Sequence, residues 1–284
     1  MDPDPGGYFN SSAIFKTLFL TILLTAFYFY RTEKTRIFFR QPLAKKDTVA
    51  TVINRVKPKK KKKKTIYLTF DDGPNKGTKK LMHIVNEEQV QVTLFVIGEH
   101  VYGSRAQSAI FDSVCNNSLF EIANHSYTHA FENNYKTFYA LPDSVVNDFI
   151  RCADSLHLSS RIIRTPGRNI WRTENLRSTD LKSSTAAADS LQKNGFIAIG
   201  WDLEWHFNDS MHVVQSADEL LQEVDSLFSH NKTKTADQLV LLAHDQVYAT
   251  LEDSAALHNF IIGLKNKDEY NIECISKYPG LVSP

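Results

Sequence analysis

Short apolar runs alternate with longer amphipathic segments along the chain from residue 65 to its C-terminal end. The runs have the length of a buried β-strand, and the segments between them repeat apolar residues at helical spacing. In the segment 217–229, for example, Leu220, Val224 and Leu227 fall on one helical face. The segment 142–157 is a second clear helix. The predicted strands are 65–70, 92–97, 120–123, 161–164, 196–200, 238–243 and 271–275.

These seven strand–helix alternations predict a parallel α/β fold. Parallel strands need a crossover connection between them, and a helix is the usual one. The spacing does not separate a closed barrel from an open, doubly wound sheet, because both architectures fit the same pattern.

The residues before this region have a different character. Residues 13–30 carry a single charge, Lys16, and their 18 residues would make a helix of about 27 Å. That length is close to the ~30 Å hydrocarbon thickness of a bilayer. A cleaved signal peptide is the alternative, but no small-x-small cleavage site follows the apolar run. We therefore predict an N-terminal tail at 1–12, a transmembrane anchor at 13–30, a basic linker at 31–64 and a globular domain at 65–284.

Composition and charge narrow the class of protein. The chain has 284 residues, of which 42% are hydrophobic, and this is enough for one sizeable core. Its formal net charge of +1 gives no polyanion-binding signature, so we expect no nucleic-acid partner. The lysine block at 57–64 is most simply a solvated linker, and binding to a membrane surface or an anionic wall polymer is the alternative. The three cysteines lack CxxC spacing and give no disulfide framework.

Polar residues interrupt the apolar pattern almost only at the C-terminal ends of the predicted strands. In parallel α/β folds the connections that follow the strands converge at this edge, where active sites lie. Five strands thus deliver ionisable or polar groups to one rim. These groups are Asp71 and Asp72; Asn124, His125 and Ser126; Arg164; Asp202 and Glu204; and His244 and Asp245.

The spacing of two histidines suggests a metal site. His125 and His129 are four residues apart and would point the same way on a helical turn, although paired surface histidines are common. A carboxylate from Asp71 or Asp72 would complete a three-ligand site with an open fourth position. Adjacent strand residues face opposite sides, so we expect the two aspartates to have separate roles, one as a ligand and one as a proton acceptor. Alternatively, Asp-Asp-Gly-Pro at 71–74 is simply a turn.

Two further residues fit a hydrolytic site. Arg164 beside a base aspartate would orient its carboxylate, and a surface salt bridge is the alternative. His244 could act as a general acid, although a single histidine is more often structural.

Four sequence motifs, in order, resemble those of the NodB-homology polysaccharide deacetylases, carbohydrate esterase family four. Thr-Phe-Asp-Asp-Gly-Pro at 69–74 resembles the first signature, and His-Ser-Tyr-Thr-His at 125–129 resembles the HSxxH motif. Arg-Thr-Pro-Gly at 164–167 resembles the third motif, and Leu-Ala-His-Asp at 242–245 resembles the fifth. The resemblance extends from about residue 65 to the C-terminus and implies a distorted (β/α)7 barrel.

The resemblance also implies roles for individual residues. Asp72, His125 and His129 would hold a divalent metal, usually Zn²⁺. Asp71 would be the general base and His244 the general acid. Arg164 would orient Asp71, and Leu242 would line the pocket for the acetyl methyl group. The implied reaction is hydrolysis of N-acetyl groups in polymers that contain N-acetylglucosamine, with release of acetate.

Two departures from the family pattern concern substrate binding and the acidic partner of His244. An aromatic residue often follows the proline of the third motif, and here that position is Gly167, whose backbone remains available at the pocket. The fourth motif is only approximate in Trp-Asp-Leu-Glu-Trp at 201–205. Glu204 or Asp202 could be the partner; strand alternation would place both on one side, and we favour Glu204. Trp171, Trp205 and His206 could form a sugar platform.

Other functions fit parts of the pattern. A metal-dependent phosphoesterase would need ligands for a second metal, and a membrane-anchored, glycan-binding pseudoenzyme would have lost a base, a ligand or an acid. An O-acetyl esterase acting on xylan is a third alternative, and the sequence does not distinguish peptidoglycan from chitin-like polymers. The basic residues after the predicted anchor favour a cytoplasmic domain, whereas the substrates place it outside. We expect a monomeric, single-pass membrane protein whose domain is extracytoplasmic.

Overall fold

A computed structural model of the chain describes residues 63–281. The predicted tail, anchor and nearly all of the linker lie outside this range. Within 63–281, no helix combines the length and apolar character that a membrane crossing requires.

Ten strands form one sheet in the described residues, and most of them are parallel. The strands are β1 (Lys64–Gly73), β2 (Val92–Val96), β3 (Phe120–Asn124), β4 (Ile162–Ile163), β5 (Ile170–Arg172), β6 (Arg177–Thr179), β7 (Ile197–Ala198), β8 (Leu203–Glu204), β9 (Gln238–His244) and β10 (Tyr270–Ile272). Their order is β6-β5-β7-β4-β3-β2-β1-β9-β8, and β10 pairs with the start of β1.

Helices follow most of the strands. They are α1 (Lys76–Glu88), α2 (Gly98–Tyr102), α3 (Arg105–Cys115), α4 (Tyr135–Tyr139), α5 (Pro142–Ser155), α6 (Thr185–Lys193), α7 (Ala217–Ser229) and α8 (Leu251–Lys265). Capping boxes begin α1 at Asn75 and Thr78, and α7 at Ser216 and Glu219. These caps satisfy backbone N–H groups that a helix start leaves unpaired.

The sheet forms a half-barrel, and one irregular segment connects β7, near one end of the strand order, with β8 at the other end. β7 pairs with β4, and β8 pairs with β9, yet only residues 199–202 separate β7 from β8. The backbone N–H of Asp202 donates to the carbonyl of Val240 (2.9 Å) within that segment. The parallel α/β prediction is therefore confirmed, but the described strands form an open half-barrel and not the distorted (β/α)7 barrel that the resemblance implied, since β7 and β8 are not paired with each other.

The predicted elements agree with the structure except around residues 164–204 and at the last strand, which was predicted at 271–275 and is Tyr270–Ile272. The helix predicted at 217–229 has those bounds, and the helix predicted at 142–157 ends at Ser155. The antiparallel hairpin of β5 and β6 was not predicted, and the strand predicted at 196–200 is shortened to Ile197–Ala198.

Alternation along β1 explains how the core supports the site. Ile66 and Leu68 belong to the cluster that packs under α1, α7 and α8, while Tyr67 belongs to the cluster that fills the inside of the half-barrel. Residues two apart share a face of a strand. Thr69 and Asp71 therefore lie on the same inward face of β1 as Tyr67. The Asp71 carboxylate is thus next to the packed interior of the half-barrel.

Candidate active site

The end of β1 delivers two consecutive carboxylates to the same point. Regular alternation would turn Asp71 and Asp72 to opposite faces, as expected from the sequence. The pairing of β1 with β2 shifts its register between Asp71 and Gly73, and Asp72 has a φ of 78°. This bulge turns Asp72 toward the side of Asp71. Oδ2 of Asp71 and Oδ1 of Asp72 consequently lie 3.6 Å and 3.5 Å from Nε2 of His125.

Three side chains at this point form a candidate metal centre. Oδ1 of Asp72 lies 3.5 Å from Nε2 of His125 and 3.3 Å from Nε2 of His129. At zinc bond lengths of ~2.0–2.1 Å, tetrahedral ligands lie about 3.3–3.4 Å apart, so these spacings fit one ion. Oδ1 of Asp72 is buried and accepts no hydrogen bond from the described residues. The arrangement therefore suits a divalent ion and leaves a fourth position open.

The two histidines do not lie on one helical turn, so that part of the sequence prediction is wrong. His125 follows the end of β3, and residues His129–Asn133 form a left-handed turn with φ between 48° and 70°. Left-handed backbone costs roughly 1–2 kcal/mol per residue, so the contacts around it must hold the turn in place.

A buried carboxylate organises the loop between the two histidines. Oδ2 of Asp148, on α5, accepts hydrogen bonds from the backbone N–H groups of Tyr127 and Thr128 (both 3.1 Å) and from the Thr128 hydroxyl (3.2 Å). Oδ1 of Asn124 accepts from the backbone N–H of Ser126 (2.8 Å). These bonds fix the path of the loop and hence the separation of the two imidazoles.

Neighbouring groups orient two of the candidate ligands. Nδ1 of His125 contacts the carbonyl oxygen of Arg164 at 2.9 Å. A carbonyl only accepts, so Nδ1 carries the proton and Nε2 is free to bind metal in the neutral ring. Nε2 of Gln246 donates to Oδ2 of Asp72 (3.1 Å), which leaves Oδ1 directed at the histidines.

Burial and charge set the protonation of the cluster. Burial, together with the charge of His125, lowers the pKa of His129 to about 4, so this ring is neutral at neutral pH. Burial opposes ionisation of Asp72, but its contact with His125 and the charge of His244 hold the pKa of Asp72 below its usual value. Burial also disfavours charge on His125, but Asp71 and Asp72 raise the pKa of His125 above that of a free imidazole. A metal ion bound at this cluster would therefore have to displace a proton from His125 in acid.

Asp71 is paired with an arginine that is completely buried. Nη1 of Arg164 donates to Oδ1 of Asp71 (2.9 Å) and to Oγ1 of Thr69 (2.7 Å). Its other donors bind the backbone carbonyls of Ile199 (3.3 Å) and Gly200 (3.1 Å). The arginine thus fixes one carboxylate oxygen and leaves Oδ2 on the side of the histidines. This is the pairing expected from the sequence, and the catalytic roles of both residues stay predictions.

His244 lies in the same cavity, but neither of its two candidate acidic partners, the favoured Glu204 or Asp202, is bonded to it in residues 63–281; Glu204 lies beside His206 instead. His244 is the register neighbour of Asp71, and its Nδ1 is buried without a hydrogen-bond partner in residues 63–281. The Asp202 carboxylate accepts from the backbone N–H groups of Lys234 (2.6 Å) and Val240 (2.8 Å), which removes it as a partner. Strand alternation misplaced Asp202 because residues 199–202 are not a strand. Glu204 lines the cavity and remains the candidate.

These groups form the floor of a cavity of about 330 Å³. Leu242 and Gly167 line it, as predicted. A Cβ at Gly167, where φ is 60°, would lie 2.7 Å from Cε1 of Tyr135, so glycine is needed there. The remaining lining residues are Asn133, Tyr135, Thr165, Trp201, Phe207 and Gln246.

The predicted aromatic platform is wrong. Trp171 is fully buried inside the half-barrel, where its Nε1 donates to Oδ1 of Asn169 (2.9 Å). Trp205 is buried between Tyr248 and Phe260. Large aromatic side chains usually complete a core, and these two do so.

His206 also does not line the cavity. Its ring is exposed beside Glu204. The aromatic residues at the cavity are instead Tyr135, Trp201 and Phe207.

Sequence reasoning missed Gln246 and Asp148 as supporting residues. Gln246 comes two positions after His244, so its place beyond a strand end could have revealed it. Asp148 lies in a helix 20 residues beyond Thr128, and no local pattern connects the two.

Loss of the Gln246 contact is expected to weaken metal binding. In Gln246→Ala the Asp72 carboxylate loses its only side-chain donor in the described residues, and removal of such outer contacts typically costs about 10–100-fold in metal affinity. Competition titration with a chromophoric chelator measures this change. The exposed Gln222→Ala variant is the control, and equal affinities in the two variants would contradict the assignment.

Comparison with known proteins agrees with this arrangement. Residues 58–156 match the sequence model of the polysaccharide deacetylase family. The match runs from β1 to the end of α5 and includes Asp71, Asp72, His125 and His129.

Individual relatives extend the comparison. Peptidoglycan-N-acetylglucosamine deacetylase of Bacillus cereus is 28% identical over 214 residues, which are 73% of this chain and 68% of the relative. YheN of Bacillus subtilis is 25% identical over 191 residues, which are 64% of this chain and 58% of that protein. The chain thus spans roughly three fifths to two thirds of the length of these relatives.

A solved structure shows that the fold is shared. The catalytic domain of peptidoglycan N-acetylglucosamine deacetylase from Eubacterium rectale superposes with a TM-score of 0.53 at 19% identity, over 79% of this chain and 94% of that domain. Residues 58–156 of the chain thus match the polysaccharide deacetylase family model, and the described part of the chain shares the fold of this catalytic domain.

Proposed function

We propose that this protein is a metal-dependent hydrolase that removes N-acetyl groups from a polysaccharide containing N-acetylglucosamine, such as peptidoglycan or a chitin-like polymer. One observation carries the proposal: a three-ligand cluster with an open position lies in one cavity with Asp71, whose carboxylate is paired behind the cavity wall with the buried Arg164. Such a site would place a metal ion, which acts as an electrophile, next to Asp71 as a positioned base. Amide hydrolysis requires both groups.

Asp72, His125 and His129 would hold the divalent ion, most simply Zn²⁺. Bound there, the ion would supply a Lewis acid that polarises the acetamide carbonyl and activates water. Oδ2 of Asp71 lies 3.6 Å from Nε2 of His125, next to this position, and accepts the proton of the attacking water. Arg164 keeps the carboxylate in one orientation throughout, because four hydrogen bonds hold its guanidinium.

The remaining cavity residues receive the two products. His244 donates a proton to the departing amine as the carbon–nitrogen bond breaks, and the acetyl carbon leaves as acetate. Leu242 offers an apolar wall for the acetyl methyl group. Gly167 and Tyr135 together form part of the cavity wall, because the Tyr135 ring packs against the glycine backbone.

The alternatives fit the described residues less well. The only other ligand cluster within 63–281 is Glu87, Glu88 and His258, on the surface. There Glu88 is already paired with Lys265 (2.6 Å) and His258 (2.8 Å), so no second metal position adjoins the site as a phosphoesterase would require. A pseudoenzyme would have lost a base or a ligand, and both are in place.

The location follows from the substrate. Peptidoglycan and chitin-like polymers lie outside the cytoplasm, so the predicted anchor at 13–30 would hold an extracytoplasmic domain at the membrane.

A product assay tests the proposed activity. The purified protein is expected to release acetate and free amine in equal amounts from N-acetylated chitooligosaccharides or peptidoglycan fragments, and to release no phosphate from aryl phosphates. Acetate without amine from acetylated xylan would indicate an O-esterase. Oligosaccharide binding without acetate release would indicate a pseudoenzyme.

A further inference from the structure

A second cavity, of about 430 Å³, adjoins the catalytic cavity. Tyr135 lines both cavities, and Gly167 of the first precedes Arg168 of the second. The second cavity is therefore the neighbouring position at which a further unit of a bound sugar chain would lie. None of the lining residues is acidic, and two are cationic. They are Tyr135, Lys136, Tyr139, Ala140, Arg168, Leu181, Ser183 and Ser184.

Arg168 is held between aromatic rings and has unused donors. Its Cζ lies 5.4 Å from the ring centroid of Tyr135 and 5.5 Å from that of Tyr139. Nη1 donates to the carbonyl of Gly167 (2.6 Å), and Nε is buried without a hydrogen-bond partner among the described residues. A guanidinium held in this way is prepared for a planar anion, because its N–H fork matches the two oxygens of a carboxylate.

A buried hydroxyl at the start of a helix supplies a further donor at the same cavity. The 3-10 turn Lys182–Ser184 leads directly into α6, and no side chain caps the start of either element. The Ser184 hydroxyl is fully buried and has no partner within residues 63–281. Uncapped helix starts favour negative charge. The nearby Asp180 carboxylate already accepts from the backbone N–H groups of Asn169 (3.0 Å) and Leu181 (2.8 Å).

We propose that the second cavity is a subsite for a sugar that carries a carboxylate, next to the N-acetylated sugar that loses its acetyl group. Arg168 binds the carboxylate, and the unpartnered Ser184 hydroxyl provides an additional donor. The inference rests on the proposed function and narrows its substrate to polymers in which acetamido sugars alternate with acidic ones. The carboxylate could belong to a lactyl ether or to a hexuronic acid.

Kinetics on oligosaccharides of equal length test the subsite. The substrates are a neutral N-acetylglucosamine oligomer, an oligomer alternating with 3-O-lactyl sugars and one alternating with hexuronic acid. We expect kcat/KM of the natural protein to be about 10-fold higher for one or both acidic oligomers, since a hydrogen bond to a charged group contributes about 1.5–3 kcal/mol. Which acidic oligomer is preferred identifies the source of the carboxylate.

Arg168→Gln is expected to bring the acidic-to-neutral ratio close to one, mainly through KM, and Arg168→Lys should keep part of it. The exposed Arg105→Gln variant is the charge-matched control and should retain the ratio. A ratio near one in the natural protein, or a ratio that Arg168→Gln leaves intact, would overturn the inference.

Calorimetric binding of the same oligomers to Asp71→Asn, with and without Arg168→Gln, provides a readout that does not need turnover. Tighter binding of an acidic oligomer that depends on Arg168 would support the subsite. If the natural protein releases no acetate and this preference is still seen, only the proposed activity fails. Equal binding of acidic and neutral oligomers would remove the subsite.

Discussion

Asp71→Asn is expected to reduce acetate release by about 10²–10⁴-fold while the protein keeps about one metal ion per chain. The asparagine amide cannot accept the proton of the attacking water. Its carbonyl oxygen can still accept the hydrogen bond from Nη1 of Arg164, which lies 2.9 Å from the present carboxylate oxygen. Metal binding should persist because Asp72, His125 and His129 are unchanged.

Three measurements on Asp71→Asn separate lost chemistry from lost structure. Acetate release reports turnover, elemental analysis reports metal content, and thermal unfolding reports the cost of leaving Arg164 buried without its carboxylate. That cost can reach about 3–5 kcal/mol when one partner of a buried pair is removed. The exposed Asp209→Asn variant is the control. If Asp71→Asn loses its metal and Asp72→Asn retains it, the roles of the two aspartates are reversed.

His125→Ala is expected to lose both metal and activity. It removes a ligand atom from the centre of the cluster, and Nε2 of His125 is the group that lies near both carboxylates. Loss of an outer contact already weakens metal binding by about 10–100-fold, so loss of a ligand should exceed that range. Elemental analysis and acetate release measure the two effects.

The control for this variant is His83→Ala, whose ring is 78% exposed and remote from the cavity. Full metal occupancy in His125→Ala would remove His125 from the ligand set.

Metal affinity of the natural protein should also fall as pH falls. The pKa of His125 is raised by Asp71 and Asp72, and below it protons compete with the ion.

The sequence was sufficient for the groups that lie at regular strand ends. Asp71 and His244 lie in the last residues of β1 and β9, His125 follows β3, and parallel strands bring their C-terminal ends to one edge. Their convergence could therefore be predicted before any geometry was known. The helix at 217–229 was equally predictable, because its apolar period and capping box agree.

Prediction failed where the backbone departs from regular periods. The bulge at Asp72 and the left-handed turn at His129 bring ligands together through positive φ values, and neither is encoded in hydrophobic spacing. The break at 199–202 separates Asp202 from Glu204, which strand alternation had placed together. The burial of Trp171 depends on contacts between distant segments, and composition does not reveal these.

Metal titration of the chelator-treated protein tests the central claim most directly. Zn²⁺ is added stepwise, and acetate release from an N-acetylated chitooligosaccharide or peptidoglycan fragment is measured at each step. The account predicts negligible release without metal and a rise that saturates at about one equivalent per chain. Full acetate release by the metal-free protein, or saturated metal binding without any acetate release from either substrate, would contradict it.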